Sequence, residues 1–223
     1  PGLTADVNRL VDALQEAGVD YTPRGIEVDS RLRTSQRHIF ALGDCNGGYQ
    51  FTHVAEYEAG VVVPNALYGV PVHARYDVVP WCTFCDPELA HVGLTEKEAR
   101  EREGDRIEVH RYELKEADRA IIDQRTEGMI KLVCSGKKLL GAHVIGESAA
   151  EMLHEYVLLM ACDRPITALS GAIHVYPSIS QAVRRAANRY YEKHLFRSRK
   201  PHWLRKLFGL HGTTTYDRER QEA

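Results

Sequence analysis

The chain has 223 residues, a formal net charge of −2, 43% hydrophobic and 27% charged residues. This is the balance of a soluble globular protein with room for one large or two small domains. It excludes a membrane-spanning helix, because no apolar run nears the roughly 18 residues needed, and five cysteines in this length suggest a reducing, cytoplasmic setting rather than a disulfide framework.

In chain order, Thr4 can cap a helix that runs to Ala17, with Val7, Leu10, Val11 and Leu14 on one face and Gly18 closing it. Gly25-Ile26-Glu27-Val28-Asp29 and Arg33-Thr34-Ser35 lead into Ile39-Phe40-Ala41-Leu42, a run short enough for a buried strand. Gly43 then permits close approach of backbone or ligand. Asp44 stands at the carboxyl end of that strand, where open α/β sheets bind ligands and where a carboxylate can accept bonds from sugar-like hydroxyls. The same hexapeptide also fits an ordinary strand-to-turn exit. Phe51-Thr52-His53-Val54-Ala55 enters a helix that reaches about Tyr68, which Pro64 should kink or end early. Gly69-Val70-Pro71 closes this unit, with the domain boundary near Ala74.

The second unit opens on the β-rich Val78 to Cys85 run. Thr95 and Glu98 form a capping box for a charged helix to Arg102. Ile107 to Leu114 reads as a strand, and Met129–Cys134 with Leu139–Ile145 reads as a hairpin around Ser135-Gly136-Lys137-Lys138. Ser148 with Glu151 caps a long apolar helix through Met160, whose Met152, Tyr156, Leu159 and Met160 stripe is core or subunit interface. A further helix runs from Ser178 to about Tyr191. Strands first and helices beside an antiparallel sheet give an α+β domain.

The order G-I-x-V-D, R-T-S, h-F-A-h-G-D and T-H-V-A resembles the second flavin-binding signature of the pyridine nucleotide–disulfide oxidoreductases, which include dihydrolipoamide dehydrogenase, glutathione reductase and mercuric reductase. The resemblance runs from about Gly2 to about Tyr191. It implies residues 1–74 as an incomplete carboxyl-terminal part of an FAD-binding domain, 75–195 as a dimerisation domain and 196–223 as a basic extension. By resemblance, Gly43 and Asp44 lie at the FAD ribityl hydroxyls, and Thr52, His53, Val54 and Ala55 face the flavin ring from a helix N-terminus. That is a place whose N–H groups suit an electron-rich oxygen. The family's G-x-G-x-x-G turn, its redox cysteine pair and its nicotinamide domain have no counterpart here, and the chain begins on Pro1. The expectation is a fragment, holding no FAD by itself, of a parent that uses FAD with NAD(P)H as co-substrate.

His174-Val175-Tyr176-Pro177-Ser178-Ile179-Ser180-Gln181 resembles the family's H-x-H-P-T-x-S-E loop. There the His before Pro is the acid–base catalyst, the Glu orients it, and the loop reaches across the dimer. Here Tyr176 replaces that His and Gln181 the Glu. A phenol with a pKa of about 10 is a poor base at neutral pH, and Gln cannot stabilise an imidazolium. His174 is the local imidazole, and on an extended segment it would share a face with Tyr176 at about 6–7 Å. His174, Tyr176 and Gln181 are therefore candidate catalytic residues. The alternative is structural: Pro177 in a turn, Ser178 as N-cap, Gln181 closing a capping box. The family also implies a cis Tyr176–Pro177 bond.

Cys82 and Cys85 have C-x-x-C spacing, which fits a redox or half-zinc motif or, within a strand, two buried structural thiols. Cys45 is expected to pack beside the flavin site. No metal site is expected, and with no cysteine after Cys162 mercury reduction lacks its carboxyl-terminal pair. From Arg184 to Lys206 nine Lys or Arg face one acid, Glu192. That tail, with Trp203 and Leu204, is either a solvated basic segment packing on its own domain or an interfacial helix with weak membrane contact. No nucleic-acid module is recognisable. The reading is part of a homodimeric FAD-dependent NAD(P)H oxidoreductase that passes electrons to a disulfide, metal or quinone-like acceptor. The alternative is a dimerisation module without cofactor or activity.

Overall fold

The structure, a computed structural model, describes residues 2–196. The basic tail beyond them, with Trp203 and Leu204, lies outside the described residues. No described helix is long and apolar enough to cross a membrane. The contacts divide the chain into two compact units, Pro1–Asp77 and Val78–Ala223.

In the first unit, helix α1 spans Gly2–Glu16, so Thr4 lies inside it rather than capping it. Its end is closed as the sequence suggests. The amide of Val19 donates to Leu14 O (2.9 Å) and that of Gly18 to Gln15 O (3.0 Å), the paired bonds of a Schellman motif. Of the apolar face, Val11 and Leu14 are half-buried and Leu10 is exposed; Val7 is not among the described side chains. A two-residue hairpin, β1 Tyr21–Thr22 and β2 Gly25–Ile26, follows.

The G-I-x-V-D and R-T-S residues then build one turn. Asp29 Oδ1 accepts the amides of Arg31 (2.8 Å) and Arg33 (3.1 Å), and Oδ2 accepts the Arg33 guanidinium at 2.9 and 2.6 Å. Burial pushes the Asp29 carboxyl up, but the bonds from Arg33 and Arg31 outweigh it and hold the group below its ordinary range. The turn keeps Leu32 buried at φ 64, a conformation disfavoured for a residue with a side chain.

Ile39 to Leu42 is not a strand. Its pairing is one antiparallel bridge, Arg33 with Phe40, carried by Thr34 N–H to Ile39 O (3.0 Å) and Ala41 N–H to Leu32 O (3.1 Å). An apolar run becomes a strand only with a ladder partner of matching length, and here the partner is the short Leu32–Thr34 stretch. Helix α2, Thr52–Val63, follows. At Pro64 it passes into a π-turn, Pro64–Tyr68, closed by Gly69, the break expected where Pro removes an N–H from the helix.

The second unit is a five-stranded antiparallel sheet in the order β3-β4-β7-β6-β5. The strands are β3 Trp81–Thr83, β4 Glu88–Gly93, β5 Ile107–Glu113, β6 Met129–Ser135 and β7 Lys138–Gly146. Ser135 pairs with Lys138, so the predicted hairpin has a two-residue Gly136-Lys137 turn. Helix α3, Glu96–Glu103, starts in the capping box of Thr95 and Glu98. Helices α4 Asp118–Ile122, α5 Ala149–Ala161, α6 Thr167–Gly171 and α7 Ser180–Tyr191 complete the unit. Helix α5 contacts β4 and β7, and α7 contacts β5 and β6. Their buried residues, among them Met152, Tyr156, Val183 and Ala186, pack on Val92, Ile130, Leu132 and Val144. Ala99 of α3 packs with Ile107 and Val133, which the two-residue period of the strands places on the opposite face. An α+β fold results, with helices beside an antiparallel sheet.

On that second face one cross-strand row runs through all five strands: Trp81, His91, His143, Lys131 and Arg111. His91 and His143 meet at 3.0 Å between their Nδ1 atoms. Burial, helped by His91 and Lys131, pushes His143 from its ordinary 6.5 down to about 4. Between these values the unfolded chain binds more protons than the folded one, so stability rises with pH there and is lost as pH falls from 6.5 toward 4. We expect the urea midpoint to drop on acidification through this window, by a loss on the order of 2 kcal/mol from this residue. The H143Q variant should have a shallower pH slope, and an unchanged slope would overturn the assignment.

Candidate functional site

Two places carry the residues singled out from the sequence, one in each unit. In the first, Gly43 opens a 3-10 turn, Gly43–Asn46, that presents Asp44 as an exposed carboxylate. Gly43 is buried at φ 71, and a Cβ there would stand 3.1 Å from the Ala55 Cβ. The lack of a side chain thus lets the turn sit directly on the first turn of α2. Gly47 closes the turn with its amide on Asp44 O (3.2 Å), and a Cβ there would collide with Arg24 O at 2.3 Å. Asp44 is therefore held on a short, doubly glycine-dependent turn rather than on a strand end. Cys45, expected to pack, is exposed, with its thiol on Leu42 O at 3.2 Å, because the 3-10 turn rotates it outward.

Helix α2 begins with Phe51 as N-cap in extended conformation and no side-chain cap bond. Thr52 and His53 are exposed, Val54 is buried and Ala55 half-buried. The structure thus brings Gly43, Asp44 and the 52–55 helix start together. Aromatic rings surround this helix start. Phe51 stacks with His53 (5.1 Å between centroids) and Tyr49 (6.4 Å), and Tyr76 lies 5.9 Å from Tyr49 and 6.4 Å from Tyr57.

The residue that sequence reasoning passed over is Glu58. Its carboxylate, 1% exposed, accepts Gly43 N–H at 2.6 Å and Asn46 Nδ2 at 3.0 Å on Oε2, and the Tyr76 hydroxyl at 2.6 Å on Oε1. Burial, then Glu58 itself, pushes the Tyr76 phenol well above its ordinary value, so Tyr76 stays a hydrogen-bond donor. The available signal was spacing: Val54, Glu58 and Val61 fall on one helical stripe, and all three are buried. An acid on an apolar stripe needs partners to be tolerated there.

In the second unit the 172–178 loop runs between α6 and α7. The Tyr176–Pro177 bond is cis, as the family resemblance implies, and so is Asp86–Pro87. His174 and Tyr176 do not share an environment. The His174 side chain is 8% exposed, whereas Tyr176 is 64% exposed. His174 Nε2 meets Glu155 Oε2 of α5 at 2.9 Å, and Nδ1 meets Ala172 O at 3.2 Å. Both ring nitrogens thus lie within hydrogen-bond reach of groups that anchor the loop, one on α5 and one in the loop itself.

Gln181 lies in the first turn of α7 and closes no capping box. Ile179 is the N-cap and no side-chain cap bond forms, because the Ser178 hydroxyl is turned back to Val175 O (2.6 Å) and Ser180 Oγ (2.9 Å). Ser148 likewise fails to cap α5. It sits at φ 59, outside the extended region that N-caps use, and the Ala150 amide goes to Glu88 Oε2 at 3.2 Å instead.

Cys82 is half-buried in β3, while Cys85 is exposed beyond the strand's end. The two buried strand thiols therefore do not form. Burial, then Glu88 and Glu151, pushes the Cys82 thiol up, which disfavours the thiolate that redox or zinc chemistry needs. Among the described residues no group of three or more His, Cys, Asp or Glu is placed to hold a metal ion.

Comparison with known proteins matches residues 2–59 to the pyridine nucleotide-disulphide oxidoreductase family and residues 79–187 to the dimerisation domain of that family. The dihydrolipoyl dehydrogenase of Corynebacterium glutamicum is 35% identical over 181 residues, 78% of this chain and 38% of that protein. The mercuric reductase of Bacillus cereus is 34% identical over 176 residues, 78% of this chain and 28% of that protein. Among solved structures, the HOCl-induced flavoprotein disulfide reductase RclA from Escherichia coli aligns with a TM-score of 0.72 at 28% identity, over 78% of this chain and 41% of that one. The chain thus spans well under half the length of the proteins it matches.

Proposed function

This chain belongs to the pyridine nucleotide-disulphide oxidoreductase family, and on that premise we propose that it works as part of a homodimeric, FAD-dependent NAD(P)H oxidoreductase. The observation that carries the reading is the seating of the Asp44 turn on the start of α2. An exposed carboxylate, a close-packed glycine and an uncapped helix N-terminus converge there.

These residues fit FAD. Asp44 would accept bonds from ribityl hydroxyls, and the first turn of α2, from Thr52 to Ala55, would face an electron-rich edge of the ring system. When bound, the flavin supplies the hydride and electron chemistry; the chain supplies placement. The acceptor is a disulfide, metal or quinone-like compound. In the second unit the exposed Tyr176 is the group we assign to reach across the dimer, with His174 and Glu155 anchoring its loop and Gln181 at the base of α7. Support for dimerisation comes from Ile173, 99% exposed, beside Val175, 78% exposed, since exposed apolar patches mark association surfaces. A reducing, cytoplasmic setting accords with five free cysteines.

The full-length protein that carries this chain is expected to purify yellow, to bleach on NADH or NADPH under argon, and to elute at twice its subunit mass. A colourless dimer would overturn the redox reading; a yellow monomer would overturn the dimer.

A further inference from the structure

We propose that Glu58 is the positioning residue of the cofactor half-site, setting the Asp44 turn against the helix start that faces the ring. The inference rests on the FAD reading above and goes beyond it to a residue that touches no cofactor. Its basis is convergence. Three donors from three places in the sequence meet one buried carboxylate: the Gly43 amide at the root of the turn, the Asn46 amide at its end, and the Tyr76 hydroxyl from the last residues of the unit. Next to it on α2, the Tyr57 hydroxyl accepts the Arg75 amide at 2.8 Å. Residues 57 and 58 together therefore pin the 75–76 segment to the helix, while Glu58 alone also pins the turn.

The geometry separates placement from charge. In E58Q the side-chain oxygen can still accept from Gly43 and Asn46. The new amide then faces Tyr76, whose hydroxyl can act as acceptor as well as donor. The network survives without its charge. In E58A the Gly43 amide and the Tyr76 hydroxyl lose their buried partner, and the turn is free to lift from Ala55. Losing a charge-assisted bond of this kind corresponds to about tenfold or more in binding.

The test uses the full-length FAD-loaded protein and reads two quantities, the FAD dissociation constant and the exchange rate of the Gly43 amide. E58A is expected to weaken FAD by about tenfold and to speed Gly43 exchange by a similar factor. E58Q should restore both to within about threefold of wild type, and E58Q combined with Y76F should lose that rescue. D44A serves as the control for the underlying reading. If D44A weakens FAD and E58A does not, the positioning role is wrong and the FAD site stands. If D44A leaves FAD unchanged, the site itself is misplaced. Should E58A not fold, N46A removes one donor from the turn and is expected to speed Gly43 exchange; unchanged exchange would overturn the proposal.

Discussion

Exchanging Asp44 for alanine in the FAD-loaded protein is expected to weaken flavin retention roughly 10- to 100-fold, the equivalent of one lost charge-assisted bond at about 1.5–3 kcal/mol. Placement is why the effect should be large on binding and small on folding. The side chain is exposed on the Gly43–Asn46 turn, so its removal should change stability by no more than about 0.5 kcal/mol. The turn itself is held from beneath, by the Gly43 amide on Glu58 and by the close approach of Gly43 to Ala55, neither of which involves the Asp44 carboxylate. D44N should fall between the two, because its amide oxygen still accepts but carries no charge. Flavin release on dilution, followed by fluorescence, measures all three proteins. A D44A protein that keeps its flavin as tightly as wild type would remove Asp44 from the site.

Local rules of the chain were legible where both partners lie within a few residues. The Thr95–Glu98 capping box, the Gly136 hairpin, the Schellman end of α1 and the break at Pro64 each depend on one turn of backbone, and each could be read. Ser148–Glu151 and Ser178–Gln181 have the same spacing as Thr95–Glu98 and do not cap. Their difference is tertiary. The αL backbone of Ser148 and the reach of Glu88 from β4 settle one; the bond from Ser178 back into the 172–178 loop settles the other.

The site follows the same division. Gly43, Asp44 and the Thr52–Ala55 helix start lie close in sequence and could be named together. Glu58 meets Gly43 across 15 residues and Tyr76 across 18, a convergence that no local pattern contains. His174 finds its carboxylate in Glu155, 19 residues back on another helix, rather than at position 181, where a motif reading looks for it. The strand expected at Ile39–Leu42 failed for a related reason: its apolar content was visible, but the length of its ladder partner was not.

The second large effect concerns Tyr156, where two losses can be separated. The ring is fully buried between α5 and the sheet, and its hydroxyl donates to Val183 O of α7 at 2.9 Å. Y156F removes only that bond. The Val183 carbonyl lies inside α7 and keeps a helical amide as partner, so the cost should be near the ordinary net value of about 1 kcal/mol. Y156A removes the ring as well and opens a cavity at the centre of the core, which should cost about 3–5 kcal/mol. Packing, not the hydrogen bond, therefore dominates at this position. Glu155, next on α5, holds His174, so loosening α5 should also release the 172–178 loop. Urea unfolding followed by near-ultraviolet circular dichroism is expected to rank wild type above Y156F and Y156F well above Y156A. Hydrogen exchange in the 172–178 loop should rise in Y156A and stay near wild type in Y156F. Equal stability of the two variants would mean that the phenol bond, rather than the buried ring, joins α5 to α7.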